Sequence, residues 1–477
     1  MKKLLILISA LFLNFNIWAS HLMGGEIIVI NDQIGNYEVL LTLYRDTLGI
    51  QMANTQDITV YNSSGTAVMN LVSQLDTSLY HPIFGMQNGS LIPFYPYGIE
   101  AYFYRASFSC SIPGEYTVSW DKCCRNGAIL NISNPLNVDM QLHSTFTVDL
   151  TSLYSTPYFM TKPVVFLPVN TPFQYNPLPF DPDGDSLVWS IDIPNESSSS
   201  NLAEGIPISG YSNPPSVSGG NLSINSITGT VSWTPSIQGN FVYTVKCEEY
   251  RNGVKVGDIR RDMQFIVLSP GSGPSLININ NLPNTNTGVP YAEVVAGNLL
   301  DLELYAIDSS VNNILFEAYG ESFNLDSNAM TYSQEAADEP FKTKLSLLWT
   351  PSINEARVDP YVVVLRLLNG TYSMDYTMYV YVNQSSVSIS EADLGLLNVY
   401  PNPTNESFVK PIKLSNKQTV VFNIYDYTGK IVSSKTSLLN KGTHNIRFDV
   451  NLNKGGYILE SIFENGKKQT EQIIVSH

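Results

Sequence analysis

Apolar and polar positions alternate along most of this chain with a period of two. Tyr37-Glu38-Val39-Leu40-Leu41-Thr42-Leu43-Tyr44 and Tyr116-Thr117-Val118-Ser119-Trp120 alternate or run apolar, and Gly, Pro, Asn or Asp bounds them. Successive side chains of an extended chain face opposite ways, so the pattern predicts short strands with a buried face. No window beyond the N-terminus has helical spacing. The strand signals recur about every ten residues, which predicts an all-β chain of tandem β-sandwiches.

The N-terminus breaks the pattern. Met1-Lys2-Lys3 is basic, Leu4 to Phe15 is mostly apolar, and Ile17-Trp18-Ala19 ends on a small residue. This reads as a signal peptide over 1–19, too short for a stable membrane anchor. No cysteine follows, so no lipid anchor is expected. No second long apolar run occurs, so the mature form is expected to lack a transmembrane anchor.

Composition sharpens the picture. A chain of 477 residues has room for several domains. Only 14% of residues are charged, while Tyr, Gly and Pro number 28, 31 and 27, the balance of extracellular β-modules. The formal net charge of -16 disfavours nucleic acid and anionic membranes as partners and favours divalent cations. The sign is not uniform. From Leu397 onward there are ten Lys/Arg against six Asp/Glu, and before it 16 against 36, so a domain boundary falls there.

A repeat divides the remainder. Val231-Ser232-Trp233-Thr234-Pro235-Ser236-Ile237 recurs as Leu347-Leu348-Trp349-Thr350-Pro351-Ser352-Ile353. An apolar strand follows each copy and an aspartate segment precedes it: Asp181-Pro182-Asp183-Gly184-Asp185-Ser186-Leu187 in the first, Tyr305-Ala306-Ile307-Asp308-Ser309 in the second. Each Trp is expected to anchor a core as it leaves a strand that Pro terminates. Stacking on carbohydrate is the functional alternative. The expected domains are 20–158, 159–268, 269–388, a linker over 389–396, and 397–477.

The Asp-Pro-Asp-Gly-Asp run with the Thr228-Gly229-x-Val231-x-Trp233-Thr234-Pro235 hairpin resembles cadherin-like, dystroglycan-type Ig modules of bacterial surface proteins. The second module keeps the hairpin exit and lacks the aspartate run. Ser20-His21-Leu22-Met23-Gly24-Gly25-Glu26, Tyr44-Arg45-Asp46, Cys123-Cys124-Arg125-Asn126 and Cys247-Glu248-Glu249-Tyr250-Arg251 occur in that order, and Arg260-Arg261-Asp262 closes the series. The set resembles secreted Bacteroidetes proteins associated with gliding motility or adhesion. The chain departs from that family at Thr47, where a cysteine is common, so no disulfide pairing carries over.

The C-terminus holds a second resemblance. Val399-Tyr400-Pro401-Asn402-Pro403-Thr404, Gly455-Gly456-Tyr457-Ile458-Leu459 and Gln472-Ile473-Ile474-Val475 are similar to the C-terminal sorting domain of type IX secretion cargo. The resemblance implies a sandwich of about seven strands. It places recognition by the secretion machinery on Tyr400, Pro401, Asn402, Pro403, Gly456, Tyr457 and the terminal strand. It further implies removal of the domain and either linkage to surface lipopolysaccharide or release. The family's usual Gly soon after Pro-Asn-Pro-Thr is absent here, and Gln472 stands where a Lys is common.

Three constellations carry chemistry. Asp181, Asp183 and Asp185 alternate around a Gly turn, and oxygen clusters of this kind suit calcium. Asp192, Glu248 and Glu249 are candidates to complete the shell, and a solvated acidic turn is the bland alternative. Four cysteines in an exported chain point to disulfides. Adjacent Cys123 and Cys124 are expected to take different partners, Cys110 for one and Cys247 for the other, since a vicinal ring is strained. Three connectivities stay open, as does a free buried thiol at Cys247. The sparse charges Arg125, Arg251, Arg260 and Arg261, with Glu26, Asp46 and Glu248, are expected in buried ion pairs that fix domain docking, or in a site for an acidic sugar.

Local enzyme signatures are missing: no His-Glu-x-x-His and no Gly-x-Ser-x-Gly occur. The chain is therefore expected to be a non-enzymatic exported protein of adhesion, surface architecture or glycan binding, with a glycan or surface protein as ligand. A polysaccharide-acting enzyme using Asp121, Glu248 or Glu249 is the alternative from another class, and a structural spacer the third.

Overall fold

The computed structural model of the protein describes residues 22–476, apart from 93–97, 164–165, 272, 310–313, 338, 385–397, 406, 450 and 465. The leader expected over 1–19 and the linker expected over 389–396 lie outside the described residues. The described chain is all-β, its helical turns being short 3-10 segments such as Ile353–Glu355. It divides into two units, Met1–Gln384 and Ser385–His477.

In the first unit the N-terminal strand is central rather than peripheral. Leu22–Gln33 pairs antiparallel with Asn36–Asp46 on one side and with Val254–Leu268 on the other. From Asn36–Asp46 the sheet continues through Ile99–Ser109, Ala67–Leu75, Thr55–Asn62, Gly114–Lys122 and Met140–Val148. Met140–Val148 then pairs back onto Val254–Leu268, with Asp258 opposite Thr145, and the path closes on itself. Closure removes the sheet edges that would otherwise stay unpaired. The alternating apolar residues of these strands fill one core, including Ile27, Val39, Leu41, Tyr104, Val118, Trp120 and Phe146.

Two glycines permit that central pairing. A Cβ on Gly24 would sit 2.2 Å from Asp262 O, and one on Gly25 would sit 2.7 Å from Thr42 O. Only hydrogen lets the neighbouring backbone approach so closely.

The boundary expected at 158/159 therefore runs through one continuous sheet. The first module's core, with Phe173, Tyr175, Trp233, Phe241, Tyr243 and Phe265, also takes in Ile28, Leu40 and Phe103 of the N-terminal part. Its strands Gly239–Arg251 and Val254–Leu268 belong to the same sheet as the N-terminal part. Two ion pairs buried on both sides reinforce the seam: Arg261 with Glu26, and Arg125 with Asp262 at 2.7 Å. Arg261 also donates to Thr161 O and to the Tyr175 hydroxyl, so little of its hydrogen-bonding capacity is left unmet.

The second module is a sandwich of two four-stranded sheets. One holds Leu300–Ile307 and Lys342–Trp349, the other Tyr361–Leu368 and Ser373–Asn383, with Leu304, Leu345, Trp349, Val363 and Val380 between them. Both repeated tryptophans are core anchors. Trp233 donates to Ser216 Oγ and Trp349 to Asn328 O, and each lies 2% exposed or less. A buried pair, Arg366 with Asp375, joins the modules, because Asp375 accepts from Asn176 N and Arg366 donates to Lys162 O.

The second unit packs the pair Ser407–Leu414 and Gly442–Asp449 with a four-stranded sheet. That sheet runs Ile431–Leu439, Gln418–Tyr425, Gly455–Phe463, Lys468–Val475. Six strands are present among the described residues, against about seven expected. Phe408, Ile412, Phe422, Leu459 and Ile473 form the core.

Candidate functional site

The aspartate run sits in the loop between Pro179–Phe180 and Ser186–Asp192. The latter strand pairs with Gly239–Arg251, placing Leu187 opposite Glu249 and Ser186 opposite Tyr250. The register thus carries the loop to the end of the strand that holds Glu249 and Arg251. Asp181 Oδ1 accepts from the backbone amides of Asp183 and Asp185 at 2.8 and 2.9 Å, which curls the loop around its own first carboxylate. Carboxylate oxygens of Asp181, Asp183, Asp185 and Glu249 then lie within 4.8 Å of one another.

The electrostatics are uneven. Burial, with the charges of Asp185 and Asp183, pushes the Asp181 carboxyl up to about 6. Burial, with Asp185, Asp181 and Asp183 beside it, pushes Glu249 up to about 10. Burial also disfavours ionisation of Asp185, yet hydrogen bonds from Arg251 outweigh it and hold that carboxyl below the usual range. Arg251 bonds both Asp185 oxygens, lies 3.8 Å from Asp183, stacks over the Tyr154 ring and donates to Leu153 O.

Of the three extra ligands expected, only Glu249 arrives. Glu248 is its neighbour on a strand, so it faces the other way and pairs with Lys246 and Lys255. Asp192 faces Arg260 at 3.4 Å. Arg251, expected in an ion pair that fixes domain docking, pairs with this cluster and holds the 153–154 segment beside it. The stacking of Tyr154 beneath it has no local signature. Asp46 is buried and caps its own turn through Leu48 N.

The residues of the enzymatic alternative do not converge. Asp121 lies across from Gln141, whereas Asp258, the neighbour of Glu248, lies across from Thr145, four residues further along that strand.

The expected cysteine pairing is corrected. Cys123 and Cys124 are bonded to each other, and Cys110 and Cys247 are free and buried. The physical reason is that two different cores take the other thiols. Cys110 packs among Tyr37, Phe108 and Tyr116, and Cys247 packs with Val245 and Ile259. Among the described residues no disulfide staples the N-terminal part to the first module, where the buried Arg–carboxylate pairs stand instead.

In the C-terminal unit, the Tyr-Pro-Asn-Pro stretch is laced to the last strand. Asn402 Nδ2 donates to Gln472 O, and Asn402 Oδ1 accepts from Ile474 N. Thr404 bridges Val475, and Tyr400 exchanges backbone hydrogen bonds with Val409. Beneath them Glu471 accepts from Val399 N and pairs with buried Lys410. Residues 398–476 match the model of the secretion system C-terminal sorting domain.

This segment is a type IX sorting tail.

The protein is accordingly exported to the cell surface or the extracellular space by the type IX system, whose machinery is a partner of the sorting domain. No helix among the described residues is long and apolar enough to cross a membrane. Tyr400, Pro401, Asn402, Pro403 and Gly456 are exposed and Tyr457 half-buried. Gly456, Tyr457 and Gln472 share a groove of about 460 Å³ with Asp426, Tyr427, Ile458, Thr470 and Glu471. Tyr427 is 93% exposed there and was not among the residues expected to matter.

No curated protein is matched. Among solved structures, an endo-fucoidan hydrolase of glycoside hydrolase family 107 is 11% identical over 67% of this chain and 44% of that one, with a TM-score of 0.18. Escherichia coli alpha-2-macroglobulin activated by porcine elastase is 10% identical over 95% of this chain and 44% of that one, at a TM-score of 0.15. The BSP domain of a biofilm associated protein is 9% identical over 97% and 96%, at a TM-score of 0.12. The chain spans under half the length of the first two. Likenesses this low carry no argument about activity.

Proposed function

We propose that this chain is a non-enzymatic exported protein of adhesion, surface architecture or glycan capture. The observation that supports it best is the union of a type IX sorting tail with a body, 22–383, whose parts are tied by a shared sheet and by buried ion pairs. Such a body resists the shear that a surface-attached binder meets, because the N-terminal part and the first module cannot separate without unzipping the strand pairing they share. The ligand in this reading is a glycan or surface protein, and surface attachment runs through lipopolysaccharide.

The test uses residues 20–477 on a glycan array, with polymer-release assays on the same glycans alongside. Retention of a defined glycan class without cleavage supports the reading. Release of reducing ends or oligosaccharides would sink it and return the enzymatic alternative.

A further inference from the structure

Two buried carboxylate oxygens lack any counterpart among the described residues. Asp181 Oδ2 and Glu249 Oε1 have no hydrogen-bond partner, although their residues are only 8% and 2% exposed. An unpartnered buried acceptor is costly, and a charged one more so. Both residues belong to the one group among the described residues in which four carboxylates converge. Arg251 attends to Asp185 and Asp183, and no cationic side chain pairs with Asp181 or Glu249 among the described residues.

We propose that Asp181, Asp183, Asp185 and Glu249 form a site for one divalent cation of the calcium class, which fastens the connector 149–156 to the first module. Every donor is a hard carboxylate oxygen, which selects alkaline-earth ions over the softer transition metals. Calcium, with oxygens at about 2.3–2.6 Å, accepts ligand oxygens up to about 5 Å apart, and the four carboxylate oxygens lie within 4.8 Å of one another. Magnesium keeps most of its waters and suits an all-protein carboxylate site less well.

The connector reaches the site from the other side. Ser155 N donates to Asp183 Oδ2 at 2.7 Å, and Arg251 holds Leu153 O and the Tyr154 ring. The same connector is tied to the central strand, since Asn31 N donates to Ser155 Oγ and Val29 N to Thr156 Oγ1. A cation at the carboxylates therefore draws together the closed sheet, the connector and the first module. This assignment does not depend on the adhesion reading.

The experiment takes residues 20–477 stripped with chelator and titrates calcium by calorimetry, with magnesium as the competing ion. Thermal unfolding and amide exchange are followed in parallel. One calcium per chain, a raised Tm and slowed exchange at Ser155 are expected, with magnesium binding at least about tenfold weaker. Glu249→Gln and Asp181→Asn should weaken calcium on the order of ten- to a hundredfold. In metal-free buffer both variants should be at least as stable as the parent, because an amide keeps the shape of the side chain and removes the cost of crowding a buried carboxyl among three others. Should Glu249→Gln fail to fold, half-buried Asp183→Asn replaces it. Absence of calcium binding by the parent, or unchanged binding by the folded variants, overturns the proposal.

Discussion

At the residue scale, the scarce charges explain more of this protein than their number suggests. Glu26 and Arg261 are both fully buried, and each completes the other's hydrogen bonding. Glu26→Ala leaves a guanidinium uncompensated inside the sheet, so stability should fall by about 3–5 kcal/mol. A lowered urea midpoint at unchanged slope is the readout. The buried histidines contribute to acid behaviour. Burial, with the nearby charges of Arg261 and Arg105, brings His81 down to about 3. Burial, with Arg260, brings His143 to about 3 as well. The unfolded chain takes up these protons below about pH 6.5, while the folded chain refuses them until about 3. Their contribution is thus complete above about 6.5 and is lost as the pH falls through that window. Asp181 and Glu249, whose carboxyls burial holds up, take protons before the unfolded chain does and act in the opposite sense, so the test is a difference: as the pH falls from 7.5 to 4 the urea midpoint of the parent should lose ground to that of His143→Gln.

At the element scale, the sorting domain shows why a short polar motif can matter. Asn402 makes both of its bonds to the backbone of the terminal strand, at Gln472 O and Ile474 N. Asn402→Ala removes them and should cost the C-terminal unit about 1–2 kcal/mol. Faster amide exchange at Ile474, with the first unit unaffected, is the expected signature. The recurrence of Trp-Thr-Pro is explained at this scale too. Each Trp ends a strand against a core and spends its indole N–H on a neighbouring loop, so neither ring is free to stack on a ligand.

At the scale of the whole molecule, the closed sheet makes distant segments interdependent. The strand Leu22–Gln33 needs Val254–Leu268, which follows it by more than two hundred residues. A fragment ending at 158 lacks that partner and leaves Arg125 and Glu26 buried without counter-ions. Residues 20–158 alone should show no cooperative unfolding transition, whereas the mature chain should. Calorimetry of the two decides the matter.

Periodicity, turn residues and the C-terminal motif were enough to establish an all-β chain, the repeated Trp anchors and the sorting tail. These are local properties, because a strand's buried face and a sorting motif are both written in adjacent residues. The acidic loop was legible in the same way, since Asp181, Asp183 and Asp185 are two residues apart. What joins them was not. Glu249 rather than Glu248 reaches the cluster because of a register that only pairing with Ser186–Asp192 sets. Cys110 and Cys247 stay apart because two different cores claim them. The N-terminal part and the first module share a sheet because strands separated by long stretches of chain close on one another. Contacts of that kind depend on which faces meet in three dimensions, and nothing in the spacing of residues along the chain specifies it.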